Sequence, residues 1–361
     1  MGIAVRDHGG DIYTYLERHG ATKKGVIDFS ASINPLGPPE GVVSEIKNHL
    51  AHLIHYPDPD TRKLRSRISG VHNLDPASIV CGNGCTELIR LIPMAMGFRK
   101  VLIPSPTYSD YERACRLANP GSAIIHHPLG KEDLFDIDSK RIIHAMVSKE
   151  VDVVFLCNPN NPTGRLVEKK RLMEIAEAAK QYRVYLVVDE SFIDFCPSSW
   201  SMINSVATNP YLMILRSMTK FYALPGLRIG YGVFPAEVAG ALRTYQPPWS
   251  VNTLAQVAAI AALDAAESGY TEETLKIVGE QKEVLERGFG DLGIDFTPSA
   301  ANYYLLAIPA AQQIAAYLEH RGLLVRNCEN FVGLDHSYLR VAVKSLDHNM
   351  LLLHHLEEYL G

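Results

Sequence analysis

Residues 215–231 read LRSMTKFYALPGLRIGY, and they decide the fold because an apolar run ends here in a loop that contains a lysine. Lys220 lies in that loop, with Ser217 before it and Arg228 after it. A lysine that attacks a carbonyl carbon must be neutral, so it needs a dry or cationic environment that lowers its pKa. A hydroxyl and a guanidinium group suit a phosphate dianion. A lysine after a strand is more often a solvated surface residue, so the surrounding sequence has to decide.

Short apolar runs recur on both sides of this loop and alternate with segments of helical periodicity. The runs occupy residues 100–103, 123–126, 151–157, 184–189, 212–216 and 227–233. Residues 168–182 form one intervening segment, with apolar side chains at helical spacing. Continuous apolar runs, unlike alternating ones, indicate strands that are buried on both faces. Strands that alternate with helices predict an α/β fold with a mostly parallel sheet.

The pattern changes after Pro247 and Pro248, which favour a domain boundary. The next forty residues are helical, and the chain then alternates short strands with helices, as in a small α+β domain. We therefore expect three parts. These are an N-terminal arm that contributes to the small domain and the active site, a large domain and a small C-terminal domain, at residues 1–45, 46–252 and 253–361.

The composition argues against several classes of protein. The formal net charge is −5, so no strong positive field is available to bind nucleic acid or an anionic membrane. The six cysteines are scattered, which favours reduced thiols and gives no metal-binding spacing. The N-terminus lacks an apolar signal segment, and the most apolar stretch, 253–266, is too short to span a bilayer. We expect a cytoplasmic protein without a metal.

Two further polar side chains follow apolar runs at equal spacing. Asn158 comes after one run and Asp189 ends the next, and 31 residues separate Asn158 from Asp189 and Asp189 from Lys220. Ligands of parallel α/β sheets bind at the carboxyl ends of the strands, so one crevice can hold all three side chains. Each also has a plainer interpretation, because Asp189 suits a helix N-cap and Asn158 stands among turn residues.

A glycine-rich loop precedes an apolar helix in the first half of the chain. Gly84, Cys85 and Thr86 stand where this helix begins, and the free N–H groups and dipole of a helix start bind phosphate. Such loops are common, so this one is weak evidence by itself. Tyr108 follows the next strand and is placed to stack on an aromatic ligand, although a core or surface aromatic is the alternative.

Six motifs occur in the order typical of one enzyme family: GNGCTE (82–87), PTYSDY (106–111), NPNNPTG (158–164), DESFIDF (189–195), RSMTKFYALPGLRIGY (216–231) and YLRVAV (338–343). The set resembles the fold-type I pyridoxal 5'-phosphate (PLP) enzymes of the class I/II aminotransferase branch over nearly the whole chain. The resemblance implies a large domain with a mostly parallel seven-stranded sheet, and a smaller α+β domain. It also implies a homodimer with shared active sites, in which Tyr56 reaches the cofactor phosphate of the partner subunit.

The resemblance also implies a role for each candidate residue. Lys220 would bind PLP as a Schiff base, and Asp189 would keep the pyridinium nitrogen protonated. Asn158 would donate a hydrogen bond to the ring oxygen O3′ and contact the substrate. Tyr108 would stack on the ring, and Arg340 would bind the substrate carboxylate. The cofactor phosphate would be held by the helix start and the lysine loop, through Gly84, Cys85, Thr86, Ser217 and Arg228.

Two subfamilies of this branch fit the motifs. The histidinol-phosphate aminotransferases usually carry tyrosine where this chain has Phe192, whose ring cannot support O3′. Residues 8–10, 28–37, 245–252 and 324–328 instead resemble the threonine-phosphate decarboxylases of cobalamin biosynthesis. Those enzymes convert L-threonine O-3-phosphate to (R)-1-aminopropan-2-ol O-2-phosphate and CO₂. We therefore expect a phosphorylated amino acid as substrate, bound by His8, Gly9, Ser32, Asn34 and Arg326 together with Arg340.

Three alternatives stay open at this point. Histidinol-phosphate transamination is the first. Decarboxylation of L-serine O-phosphate is the second, because one methyl group gives only about 1–3 kcal/mol of discrimination. A regulator that uses the fold to sense an effector is the third, since fold alone does not establish function. Such a regulator would carry a DNA-binding domain, for which the family-like sequence from residue 8 to residue 361 leaves no room.

Overall fold

The computed structural model describes residues 8–20 and 25–361. Its strands in these residues are β1 (Ile27–Asp28), β2 (Ile79–Gly82), β3 (Lys100–Ser105), β4 (Ala123–Pro128), β5 (Val153–Cys157), β6 (Tyr185–Asp189), β7 (Leu212–Ser217), β8 (Gly230–Val233), β9 (Asp295–Phe296), β10 (Tyr303–Ala307), β11 (Leu323–Leu324), β12 (Arg326–Asn327) and β13 (Tyr338–Ala342). Its α-helices in the same residues are α1 (Ile12–His19), α2 (Val42–Asn48), α3 (Arg62–His72), α4 (Cys85–Met96), α5 (Asp110–Ala118), α6 (Ser139–Ser148), α7 (Lys169–Tyr182), α8 (Ala236–Tyr245), α9 (Thr253–Ala265), α10 (Thr271–Asp291), α11 (Ala311–His320) and α12 (Leu346–Leu360).

A large sheet of seven strands, counted over the described residues, has the order β2-β8-β7-β6-β5-β3-β4. The strands β4, β3, β5, β6 and β7 pair in parallel, whereas β8 runs antiparallel to both of its neighbours. Every residue of β5 and of β7 is buried, because helices pack on both faces of the sheet. This arrangement is the one that continuous apolar runs predict. The predicted α/β fold class, with its mostly parallel sheet, is confirmed.

The register of the large sheet gathers several predicted residues at one edge. Asp189, the last residue of β6, lies opposite Leu215 of β7, two residues before Ser217. Gly230 of β8 pairs with Ser217 on one side and with Gly82 of β2 on the other. The glycine-rich loop that follows β2 therefore lies beside the loop of Lys220.

A second sheet has the order β12-β13-β10-β9 and pairs antiparallel throughout. Helices α10, α11 and α12 cover it, and residues such as Leu285, Ile314 and Leu352 form a separate apolar core with the strands. The short strand β1 pairs in parallel with β11, so the N-terminal segment is attached to this C-terminal part of the chain.

The domain boundaries at residues 45 and 252 stay predictions. The alanine-rich helix α9 follows the second boundary, yet its buried residues belong to the core of the large sheet, together with residues of α2 and α3. By packing, α9 therefore contributes to the core of the large sheet. None of the helices in the described ranges combines the length and the apolar character that a bilayer span requires.

Candidate active site

One cavity of about 480 Å³ opens at the carboxyl edge of the large sheet and extends toward the second sheet. Residues that are far apart in sequence line it together. Of the residues singled out from the sequence, the structure brings these to its wall: His8, Gly9, Cys85, Thr86, Tyr108, Asp189, Ser217, Lys220, Arg228, Arg326 and Arg340.

Lys220 occupies the loop that β7 enters at its carboxyl end, and its side chain is only partly exposed. Burial lowers the pKa of Lys220 to about 8, and the nearby guanidinium groups of Arg340 and Arg228 act in the same direction. A substantial fraction of the amine is therefore neutral near physiological pH. A neutral amine in a cationic pocket is suited to attack a carbonyl carbon.

Asp189 ends β6 and presents a buried carboxylate to the cavity. Its Oδ1 accepts hydrogen bonds from the N–H and the hydroxyl of Ser191, at 3.0 and 2.5 Å. Its Oδ2 accepts the Tyr111 hydroxyl at 2.7 Å. Burial raises the pKa of Asp189 above its ordinary value, so a positive charge beside it would favour its ionised form. Tyr111 was missed from the sequence, although its place in PTYSDY on α5 was a usable signal.

The start of α4 is built to receive an anion. No side chain within the described residues caps this helix, whose N-cap residue is Gly84 with φ +77°. A Cβ atom on Gly84 would lie 2.5 Å from Nη2 of Arg228, so only glycine lets the guanidinium approach the helix start. Gly84 itself does not line the cavity, whereas Cys85 and Thr86 do. Backbone N–H groups, a helix dipole and an arginine together suit a phosphate dianion.

Hydroxyl groups complete this anion site from the strand side. Ser217 ends β7, and its Oγ lies 2.8 Å from Oγ1 of Thr219. Both residues line the cavity, and both side chains are buried. The role of Thr219 was missed from the sequence, where it is one of several small polar residues before Lys220.

Arg340 approaches the cavity from β13 of the second sheet. Its Nη1 donates to Oδ1 of Asn161, and its Nη2 donates to the backbone oxygen of Ser30 at 2.7 Å. The guanidinium carbon lies 5.1 Å from the centre of the Tyr303 ring. Arg340 is almost completely buried, so these contacts hold its charge in a fixed orientation.

A scan against family models matches residues 24–355 to aminotransferase class I and II. The chain belongs to the class I and II aminotransferase family. The threonine-phosphate decarboxylase of Salmonella typhimurium is 36% identical over 363 residues, which cover 100% of this chain and 98% of that protein.

Two solved structures are similar to the whole fold. The histidinol-phosphate aminotransferase of Clostridium acetobutylicum has a TM-score of 0.85 and 31% identity, covering 92% of this chain and 98% of that one. The L-threonine-O-3-phosphate decarboxylase of Porphyromonas gingivalis has a TM-score of 0.80 and 27% identity, with the same coverages of 92% and 98%. These similarities establish the fold and the family of the chain. Its cofactor is PLP, as in this family.

The residues at the cavity fit PLP chemically. A phosphate, a protonated ring nitrogen and an aldehyde each need a different partner. Arg228 with the start of α4 would bind the phosphate, Asp189 would face the ring nitrogen, and Lys220 would react with the aldehyde. We propose these assignments for the three residues, and we propose that Tyr108, on the cavity wall, stacks on the ring.

The placement of Asn158 does not agree with its predicted role. Asn158 is fully buried, its Oδ1 accepts the N–H of Val167 at 2.8 Å, and it is not part of the cavity wall. Asn161, three residues later in the same NPNNPTG motif, lines the cavity and contacts Arg340. Asn158 directly follows β5 and is fully buried, whereas Asn161 is at the cavity wall. We therefore transfer the predicted contact with O3′ and the substrate from Asn158 to Asn161.

Ser32 and Asn34 also lie outside the cavity, contrary to their predicted contact with substrate. Both are buried, and Asn34 Nδ2 donates to the backbone oxygen of Phe221, the Tyr270 hydroxyl and Thr274 Oγ1 at 2.8, 2.9 and 2.8 Å. The Asn34 N–H donates to the backbone oxygen of Lys220 at 3.0 Å. Asn34 thus anchors the lysine loop. Residues nearer the start of the same segment, Ser30 and Ala31, are the ones at the cavity wall.

Further polar and cationic side chains line the cavity. Arg326 donates from Nη2 to Asn330 Oδ1 at 2.7 Å, and His8 Nε2 lies 3.5 Å from Asp110 Oδ1. Arg90 and Arg113 also line the cavity and were missed from the sequence, because an exposed arginine on a helix gives no local signal. Among the cavity-lining residues that the structure describes, five arginines and Lys220 face two carboxylates.

Tyr56 lies away from the cavity of its own chain. Its side chain is 79% exposed and stacks on Trp249 with ring centres 4.6 Å apart. An exposed position is required of a residue that reaches a partner subunit, so the predicted role of Tyr56 stays a prediction.

Proposed function

We propose that this chain removes CO₂ from L-threonine O-3-phosphate and forms (R)-1-aminopropan-2-ol O-2-phosphate. The observation that carries the proposal is the distribution of cations in the cavity. Arg228 is assigned to the cofactor phosphate and Arg340 to a carboxylate, which leaves Arg326, the cross-strand neighbour of Arg340, and His8 for a further group of the substrate. A substrate that carries a carboxylate and, a short carbon chain away, a second anionic group would contact Arg340, Arg326 and His8.

The full-length similarity to the Salmonella typhimurium enzyme supports decarboxylation over amino-group transfer. Phe192 supports it as well. This residue lines the cavity and packs edge-on against Tyr303, at 4.9 Å between ring centres, so it offers no hydroxyl to the cofactor oxygen. Asn161 is then the main side chain available to the cofactor oxygen O3′. Enzymes with tyrosine at the position of Phe192 offer a hydroxyl to this oxygen as well.

Bound PLP supplies the electron sink that stabilises the charge left on Cα when CO₂ departs. Asp189 holds a proton at the ring nitrogen, where Tyr111 and Ser191 keep its carboxylate in place. Arg340 of β13 and its cross-strand neighbour Arg326 of β12 would hold the two anionic groups of the substrate, and this would select which Cα bond is broken. Small errors in such placement cost orders of magnitude in rate. Lys220 Nζ, which is still largely protonated near pH 7, would return a proton to Cα.

Histidinol-phosphate transamination is the second candidate, and the similarity to the Clostridium acetobutylicum enzyme favours it. Both substrates carry a phosphate, so the cations alone do not separate them. The decisive experiment supplies the holoenzyme with L-threonine O-3-phosphate, or with histidinol phosphate plus 2-oxoglutarate. Decarboxylation predicts the amine phosphate as product of the first mixture and no glutamate in the second. Glutamate formed at the higher rate would reverse the assignment. L-serine O-phosphate in a third mixture measures the selectivity for the methyl group.

We also propose that the active form is a homodimer with shared sites. Four apolar side chains near Tyr56 are each at least 46% exposed. Three of them precede Tyr56 in sequence and the fourth stacks on it: Leu50, Leu53, Ile54 and Trp249. Such a group on one surface is typical of a protein interface. A second copy of the chain on this surface would bring Tyr56 to the cofactor phosphate of the partner.

A further inference from the structure

Residues 8–20 are the first described part of the N-terminal arm and are called the arm below. They meet the loop at Ser30 through two glycines. A Cβ atom on Gly9 would lie 2.2 Å from the backbone oxygen of Ser30, so only glycine lets the arm lie against this loop. Gly10 has φ +93°, and its N–H donates to Ser30 Oγ at 2.8 Å. The backbone oxygen of Ser30 accepts a hydrogen bond from Nη2 of Arg340. The arm therefore rests directly on the loop that orients Arg340.

The arm also meets α5, through His8. His8 Nε2 lies 3.5 Å from Oδ1 of Asp110, and the His8 ring centre lies 5.7 Å from that of Tyr108. Asp110 is only 5% exposed, and its Oδ2 accepts the Tyr108 hydroxyl at 2.9 Å. A single buried carboxylate therefore contacts both the arm and the aromatic residue assigned to the cofactor ring.

Neighbouring side chains stabilise the negative charge of Asp110. Burial raises the pKa of Asp110, but His8, Tyr108 and Arg113 together bring it below its ordinary value. The nearest guanidinium nitrogen of Arg113 lies 4.0 Å from the same oxygen that faces His8. The carboxylate is thus ionised at neutral pH and retains an attraction for the imidazole of the arm.

We propose that Asp110 is a positioning residue that latches the N-terminal arm across the cavity and holds His8 beside the phosphate of the substrate. The arm connects the Ser30 loop, which accepts a hydrogen bond from Arg340, to α5 of the large domain. When latched, it narrows the opening of the cavity and limits the entry of water. The role of His8 toward substrate rests on the proposed function, whereas the latch itself does not.

The first test measures the arm and the kinetics in the same holoenzyme variants. Hydrogen exchange of the arm amides should increase about tenfold in Asp110→Asn, because a charge-assisted contact is lost. The KM for L-threonine O-3-phosphate should rise about tenfold while kcat changes less than about threefold. The visible absorption of the bound cofactor should be unchanged, and Asp110→Glu should recover most of the arm protection. Exchange equal to that of the original chain in Asp110→Asn would overturn the latch.

Combining variants shows whether the two residues act together. His8→Gln should give the same increase in exchange as Asp110→Asn, and the double variant should be no worse than either single one. Additive effects would contradict a direct interaction between His8 and Asp110.

Gly9 provides an independent test that leaves Asp110 intact. Gly9→Ala should raise arm exchange at least as much as Asp110→Asn, since the added methyl group meets the Ser30 oxygen. Gly70→Ala is the matched control, because nothing lies within 4 Å of a Cβ atom there. Unchanged exchange in Gly9→Ala would refute the seating of the arm. Arm exchange that depends on Asp110 in an enzyme without decarboxylase activity would refute the proposed function and keep the latch.

Discussion

Lys220 combines a buried amine with two neighbouring guanidinium groups, which lower its pKa to about 8. Only the neutral amine attacks a carbonyl, so attachment of PLP to the apoenzyme should speed up as pH rises through 8. Between pH 7 and pH 9 the neutral fraction of such an amine grows about tenfold, and the rate should follow. Stopped-flow absorbance over this range measures it.

The control for this prediction is Lys344→Met. The Lys344 amine donates to the backbone oxygen of Ala31 at 3.1 Å and is not part of the cavity wall, so the midpoint near pH 8 should persist. A rate that keeps rising to above pH 10 would show that Lys220 has the pKa of an ordinary lysine.

The two asparagines of NPNNPTG should behave differently on substitution. Asn161→Ala removes a cavity-lining amide that contacts Arg340, so kcat/KM should fall about 100-fold with little loss of stability. Asn158→Ala removes the acceptor of the Val167 N–H and should cost about 1–3 kcal/mol of folding free energy. Steady-state kinetics and urea unfolding separate the two effects. The opposite pattern would restore Asn158 as the residue at O3′.

Three of the predicted residues at the cavity wall share one property. Asp189, Ser217 and Lys220 stand at the ends of apolar runs, and the register of a parallel sheet brings such ends to one edge. The position of an asparagine within a turn depends on the path of the chain, which residue spacing does not define. For that reason the sequence did not distinguish Asn158 from Asn161.

At the scale of elements, the segment between β1 and α2 supports the lysine loop. Asn34→Ala should destabilise the fold by about 3 kcal/mol, because three buried acceptors lose one donor group. The control Asn48→Ala, at an exposed site with one long contact of 3.4 Å, should change stability by less than about 0.5 kcal/mol. Urea unfolding compares the two. Equal effects would mean that Asn34 is not an anchor.

The strands of the large sheet were predicted well because their apolar runs are continuous and buried on both faces. Ser32 and Asn34 were predicted to contact the substrate because residues 28–37 resemble the decarboxylase subfamily, whereas Ser30 and Ala31 are the residues of this segment at the cavity wall. In an irregular segment, adjacent side chains point in different directions, so proximity does not predict which of them reaches the cavity. The alanine-rich helix α9 packs on the large sheet through tertiary contacts, which its own sequence does not define.

At the scale of the whole molecule, the exposed apolar surface around Tyr56 predicts a dimer. The mass in solution should be twice the chain mass of 40.0 kDa. Ile54→Glu places a charge at a side chain that is 83% exposed and should yield the monomer, whereas Met350→Glu, at a 52% exposed site on α12, should not. Light scattering after size exclusion measures both. A monomeric original chain, or a dimer that tolerates Ile54→Glu, would rule out this interface.

The central claim is that the bond broken at Cα leads to the carboxylate. The most direct measurement follows ¹³CO₂ from L-threonine O-3-phosphate labelled at the carboxyl carbon, with holoenzyme and without any 2-oxo acid. The account predicts one labelled CO₂ for each amine phosphate formed, and none with Lys220→Ala. Substrate consumption that requires a 2-oxo acid and releases no labelled CO₂ would contradict it.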